Sequence, residues 1–144
     1  MIDNFGVTFT ENADNEAINF EVFLDSFEKS FKEEERAKIN MLINDILKKS
    51  IFHIEKYDLL HIFESQHAEY FESNTEAEIL GFVKQRQAKI KEMLIFQYCD
   101  IYFNEIRNTF NKLKPYLHDD VNALFGMCVE ENKNEAKYRI LIAR

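Results

Sequence analysis

Apolar side chains recur at helical spacing along most of this 144-residue chain. Between residues 15 and 32, Phe20, Phe23, Leu24, Phe27 and Phe31 fall at i, i+3, i+4 and i+7, and predict a helix with one buried stripe. Asp14 or Asn15 is its natural N-cap. Ile39, Leu42, Ile43, Ile46 and Leu47 repeat the pattern in a second helix, whose early glutamates and late lysines suit the helix dipole. Leu59, Leu60, Phe63, Tyr70 and Phe71 mark a third, ending near Ser73-Asn74. Thr75, followed three residues later by Glu78, matches a capping box and opens a fourth.

From there Ile79, Phe82, Val83, Ile90, Leu94, Ile101, Ile106, Phe110 and Leu113 keep a helical period as far as Pro115. One helix over about 76–113 would be about 55–60 Å long, at ~1.5 Å per residue. A compact domain of this size is only roughly 30 Å across. Such a helix must break, or project and pack against a partner. After Pro115, Asp119 or Asp120 can cap a short helix carrying Val121, Leu124, Phe125 and Cys128. The tail EAKYRILIAR fits a helix or a strand; a strand would pair with NFGVTFT, or form a hairpin with FGMCVE. In NFGVTFT, Phe5, Val7 and Phe9 alternate, so residues 1–14 are expected as an extended arm or short strand. The fold class expected is mostly α: a small helical bundle in one domain, 1–144, with one long helix at about 76–113 and a short terminal strand pair or hairpin as an option.

Composition agrees with long helices and few turns, since the chain has only three glycines and one proline. Fourteen Phe and six Tyr supply enough bulk for a core without staples. The excess of Ile, Phe, Asn, Lys and Glu follows AT-rich codons and points to a bacterial or phage source. The start MIDNFGVTFTENADNE has neither the basic nor the apolar part of a signal peptide, and no run approaches the roughly 18 apolar residues of a membrane span. A cytoplasmic location is expected, with Cys99 and Cys128 as free thiols.

Charge changes the picture most. Residues 1–80 hold 18 acidic and 7 basic side chains, a net of −11, whereas residues 81–144 hold 8 and 11, a net of +3. An acidic half of this kind opposes phosphate binding. Glu21, Asp25 and Glu28 are spaced i, i+4, i+7, and Glu69, Glu72 and Glu76 are spaced i, i+3, i+7. Read as helix faces, these are like-charge stripes with no i+4 lysine to relieve them.

Catalytic patterns are thin. Glu64 and His67 make one E-x-x-H, where di-iron bundles use two, and His61 is the one further neighbour. Gly126 lies in LFGMC rather than in a nucleophile elbow, and Cys128 has no base near it in sequence. The Arg and His of HEPN-type RNases lie four to six residues apart, whereas Arg107 is followed by a histidine only at His118. Lys84, Arg86, Lys89 and Lys91 form a basic stretch without interleaved aromatics, which reads as a solvated helix face.

The expectation is a small acidic binding protein rather than an enzyme, with no cofactor, no metal and no direct nucleic-acid contact. Its partner would be a basic, nucleic-acid-handling protein that it occludes, as immunity proteins, antitoxins and phage anti-defence proteins such as anti-CRISPRs do. Glu21, Asp25, Glu28, Glu69, Glu72 and Glu76 are the expected contact residues. The alternative is a self-assembling helical subunit, a homodimer through the long helix.

Overall fold

A computed structural model describes residues 20–65, 67–98, 103–128 and 136–144, with the side chains of 103–106 left undescribed. Helix α1 runs through residues 20–29, α2 through Glu33–Lys49 and α3 through Lys56–Phe63. Strand β1 (Ala68–Ser73), helix α4 (Glu76–Arg86), strand β2 (Glu92–Tyr98), helix α5 (Phe103–Leu113), strand β3 (Asn122–Cys128) and strand β4 (Tyr138–Ala143) follow.

The all-helical expectation is overturned. The four strands form one mixed sheet in the order β1-β4-β2-β3. Strand β4 runs antiparallel to both β1 and β2, while β2 and β3 are parallel. Parallel neighbours require a crossover, and α5 supplies it between β2 and β3. The sheet is covered on both faces. Leu94, Phe96, Tyr98 and Leu141 point toward α1, α2 and α3, where they meet Phe20, Phe27, Ile39, Leu42, Ile46, Leu59 and Phe63. The alternate residues Met93, Ile95, Ile140 and Ile142 point the other way, to Ile79, Phe82 and Val83 of α4 and Leu113 of α5.

The expected long helix is therefore four pieces. Helix α4 ends at Arg86, a single 3-10 turn spans Gln87–Lys89, β2 takes EMLIFQY, and α5 resumes at Phe103. A strand packed on both faces is apolar at every position, so its residues also satisfy a 3.6 period when they lie between two true helices. The homodimer expected through that helix has no continuous helix there to run along. The third helix stops at Phe63, and Tyr70 and Phe71 belong to β1. The short helix expected after Pro115 is strand β3. The C-terminal tail is a strand, but it pairs with β1 and β2 rather than in a hairpin with FGMCVE. The extended arm of residues 1–14 and its pairing lie outside the described residues, as does Cys99.

Helices α1 and α2 keep their expected stripes, with Phe20, Leu24, Phe27, Phe31, Ile39, Leu42, Ile43 and Ile46 buried. Arg36 closes the turn between them: its Nε donates to the Phe31 carbonyl at 2.9 Å and its Nη2 to the Lys29 carbonyl at 3.2 Å. Thr75 is the N-cap of α4 as expected, but its hydroxyl donates to the Glu78 carboxylate at 3.1 Å instead of accepting a backbone N–H. The side chain of Cys128 is buried. Among the described residues no helix is long and apolar enough to cross a membrane.

Candidate interaction groove at the sheet edge

Strand β3 lies at one edge of the sheet. Asn122 donates its N–H to the Lys91 carbonyl at 3.0 Å and faces Glu92 in register, which fixes the direction of every group on the strand. In a parallel ladder one residue presents both its N–H and its C=O to the same side, and the next presents both to the other. Asn122, Leu124 and Gly126 therefore bond to β2, while Ala123, Phe125 and Met127 face outward. At Met127 the outer side is covered: Ile51 donates its N–H to the Met127 carbonyl at 2.8 Å, and the Met127 N–H reaches the Ser50 hydroxyl at 3.3 Å.

Beside it is a groove of about 530 Å³ lined by Phe52, His53 and Ile54 of the same segment and by Ala123, Leu124 and Phe125 of β3. Arg107 and Phe110 of α5 close its end, and the Phe110 and Phe125 rings meet edge to face at 4.8 Å. A second depression continues past Phe110 and Ala123 to Lys114, Leu117 and His118. The surface so formed is apolar at its floor, and Arg107, Lys114, His53, His118 and Asp119 are among the residues that line it.

Gly126 holds the geometry of this edge. A Cβ there would sit 2.6 Å from Cδ1 of Phe96, a fully buried ring, and 3.4 Å from the Ser50 hydroxyl. Glycine lets β3 approach both the core ring and the segment that covers Met127.

The opposite edge, β1, is built differently. Glu69 accepts from Arg86 at 2.8 Å and from Arg144 at 3.0 Å, while Glu72 pairs with Lys38 of α2. Charges on an edge strand discourage pairing with another chain. Glu69 and Glu72 leave the strand on opposite faces, toward α4 and α2, so with Glu76 they form no helical stripe. Glu76, in the first turn of α4, pairs with Lys112 and accepts from the buried Thr109 hydroxyl at 2.9 Å. Partial burial works against ionisation at both Glu69 and Glu76. Hydrogen bonds and charges from Arg86 and Arg144 at Glu69, and from Lys112 and Thr109 at Glu76, outweigh it and hold both carboxyls below the usual range. The α1 carboxylates do share a face. Glu21 and Asp25 are exposed, Asp25 pairs with Lys29 at 3.0 Å, and Glu28 accepts from Asn40 at 2.8 Å. Lys29 stands four residues after Asp25, so this stripe does have an i+4 lysine, contrary to the expectation.

Among the residues weighed for chemistry, His61 lies in the last turn of α3 with its ring edge-on to Tyr57 at 6.0 Å. Glu64 follows the end of that helix and His67 lies beyond it, so E-x-x-H does not sit on one helix face. Among the described residues no three His, Cys, Asp or Glu side chains converge. Lys84, Lys89 and Lys91 are exposed as expected, but Arg86 turns inward, with its guanidinium 3.9 Å from the centre of the Phe82 ring. A helical period also fits the residues of β3, and this hides the groove in the sequence. A short apolar run such as ALFGMC, bounded by Asp119-Asp120 and the next polar run, also fits a strand.

No family model and no curated protein sequence matches this chain. Among solved structures it is similar to the FtsZ dimer of M. jannaschii, at 14% identity over 79% of this chain, with a TM-score of 0.51. A mutant FtsZ of M. jannaschii aligns at 16% identity over 78% of this chain, with a TM-score of 0.43. The chain spans 40% of the length of either FtsZ chain. The likeness to the FtsZ dimer shows a shared α/β fold.

Proposed function

We propose that this chain is a protein-interaction module, a binder rather than a catalyst, that takes an extended segment of a partner protein along the open edge of β3. One observation carries the reading: the backbone groups of Ala123 and Phe125 face outward into an apolar groove, on a sheet whose other edge is blocked by paired charges. Main-chain hydrogen bonds supply affinity in such strand addition, and pockets for alternate side chains supply specificity. Arg107 and Lys114, set against Asp119 in the same lining, favour an occupant with apolar residues at every second position and carboxylates beside those two cations.

The test is fluorescence anisotropy of a ten-residue synthetic peptide that alternates Val or Phe with Glu. Saturable binding, weakened at least tenfold by Ala123→Pro and by Arg107→Glu with unchanged thermal stability, is the expected result. Proline removes the outward N–H while the strand keeps its bonds to β2. Equal binding by all three chains would overturn the reading.

A second reading rests on α1. Val22 is 60% exposed beside Glu21 and Asp25, an apolar anchor within an acidic rim that suits a basic partner. The similar M. jannaschii FtsZ is a dimer, and self-association through these surfaces is the competing outcome for this chain.

A further inference from the structure

Resting on the groove reading above, we infer that the β3 edge takes the free C-terminus of a partner protein, laid parallel to β3, with Arg107 receiving the terminal carboxylate. The edge is open in one direction only. Beyond the outward groups of Ala123 and Phe125, the Met127 carbonyl accepts from the Ile51 N–H and the Met127 N–H donates to the Ser50 hydroxyl. A guest strand that passes Phe125 meets these bonds and finds the Met127 groups taken. At the other end the surface continues past Ala123 to Asn122, Val121 and Leu117. A guest therefore enters at the Asn122 end and stops beside Phe125.

Arg107 stands at the stopped end. Helix α5 leads from the end of β2 back to the start of β3, so it runs against both parallel strands. Phe110 meets Phe125 edge to face, and Arg107, about one turn earlier in α5, lies on the Met127 side of that contact. Arg107 lines the groove with Phe52 and His53, whereas Lys114 and Asp119 line the depression at the entry. Lys114 and Asp119 offset each other there. With the histidines counted neutral, Arg107 carries the formal charge of the stopped end among the described lining residues. Glu55, next in sequence to the lining, accepts from or donates through nothing but His53 in its side-chain contact at 3.0 Å and the α3 cap. Arg36, Arg86 and Arg144 donate to carbonyls or carboxylates, while Arg107 forms no ion pair among the described residues. A guanidinium holds a carboxylate through two charge-assisted bonds. A parallel guest brings its C-terminal carboxylate to this arginine, and an antiparallel one would bring an ammonium.

The probe is the alternating peptide, labelled with fluorescein at its N-terminus and made as the free acid, as the C-terminal amide, and with a Gly-Ser tail. Anisotropy should show the acid binding wild type at least tenfold tighter than the other two. Arg107→Gln should bind acid and amide alike at unchanged thermal stability, whereas Ala123→Pro should weaken every form. A nitroxide at the N-terminus of the peptide should broaden the Asn122 amide more than the Ile51 amide. The reverse order would set the guest antiparallel and overturn the inference. A preference for the acid that survives Arg107→Gln would overturn it too, since another group would then hold the carboxylate. Equal affinity of the three peptides for wild type would remove the C-terminal specificity and leave the groove reading standing. Binding by none of them would remove the groove reading itself.

Discussion

Phe71 of β1 and Phe82 of α4 stack with ring centroids 4.7 Å apart and planes 7° from parallel, and the Arg86 guanidinium lies 3.9 Å from the centre of the Phe82 ring. The same guanidinium donates to Glu69 two residues before Phe71, so one arginine ties α4 to β1 through a ring and a carboxylate at once. Arg86→Met keeps the stem and loses both. It should cost about 1–2 kcal/mol in denaturant unfolding, since cation–π contacts and partly buried pairs are each worth roughly 1 kcal/mol. Arg86→Lys should recover only part, because a lysine cannot lie flat on Phe82 and grip Glu69 together.

The paired carboxylates set an acid limit. Glu69 and Glu76 are held below their ordinary value of 4.5, so the folded chain takes up their protons later than the unfolded chain does as pH falls. Their contribution is complete above pH 4.5 and is lost as pH drops through the depressed folded values. Stability measured from pH 6 down to pH 3 should therefore fall, and a Glu69→Gln, Glu76→Gln variant should show a shallower slope over that window. An unchanged slope would mean that other carboxylates govern acid unfolding.

Two tyrosines on the face covered by α1, α2 and α3 should respond oppositely to loss of a hydroxyl. The Tyr70 hydroxyl is buried and has no hydrogen-bond partner among the described residues, whereas the Tyr98 hydroxyl donates to the Asp45 carboxylate. Burial, and for Tyr98 the bond to Asp45, push both phenols above their usual range. Tyr70→Phe removes an unsatisfied group and should leave stability unchanged or raise it by roughly 1 kcal/mol, while Tyr98→Phe should lower it by about 1 kcal/mol. Because the folded values are raised, stability is intact below pH 10 and falls as pH rises beyond it. Either substitution should soften that alkaline loss.

At Gly126 the constraint is steric. Gly126→Ala puts a methyl against the buried Phe96 ring and should cost about 1–3 kcal/mol, the range for overpacked cores. Phe96→Leu in the same chain should return part of that loss by opening the space, although Phe96→Leu alone is destabilising. Additive costs would show that the two residues do not meet.

The acidic face of α1 gives the remaining prediction. If it docks a basic partner, reversing Glu21, Asp25 and Glu28 to Lys should abolish association with that partner while the melting temperature stays within a few degrees. Binding that survives triple reversal would move the interaction to the β3 groove.

How far the fold is legible in the chain depends on what each residue packs against. Helices α1 and α2 have one buried face, so the stripes from Phe20 to Phe31 and from Ile39 to Ile46 show a clear period. Strand β2 has two buried faces, and Met93, Leu94, Ile95 and Phe96 carry no period that separates strand from helix. The length of the expected helix is itself the sign that 76–113 has to break. Length locates the fault, and pattern alone does not say that the replacement is a strand. Carboxylate spacing misleads for a related reason: Glu69 and Glu72 are three apart on either element, but a strand sends them to opposite faces. The β3 groove depends on Phe52, Phe110 and Phe125 meeting across 73 residues of chain, which no local spacing records.

The order β1-β4-β2-β3 also has a consequence for how the chain acquires its structure. Tyr138–Ala143 fills the place between β1 and β2, and Ser73 and Tyr138 are neighbours across the sheet. Among the described strands β1 pairs with β4 alone, so the sheet cannot be completed until β4 has been synthesised. Folding during translation must then wait for that strand. Contacts this distant in sequence place the chain among slow folders of its size. A nascent chain stalled before Tyr138 would show open strands and bare Phe and Ile surface, the features that chaperones and aggregation both recognise.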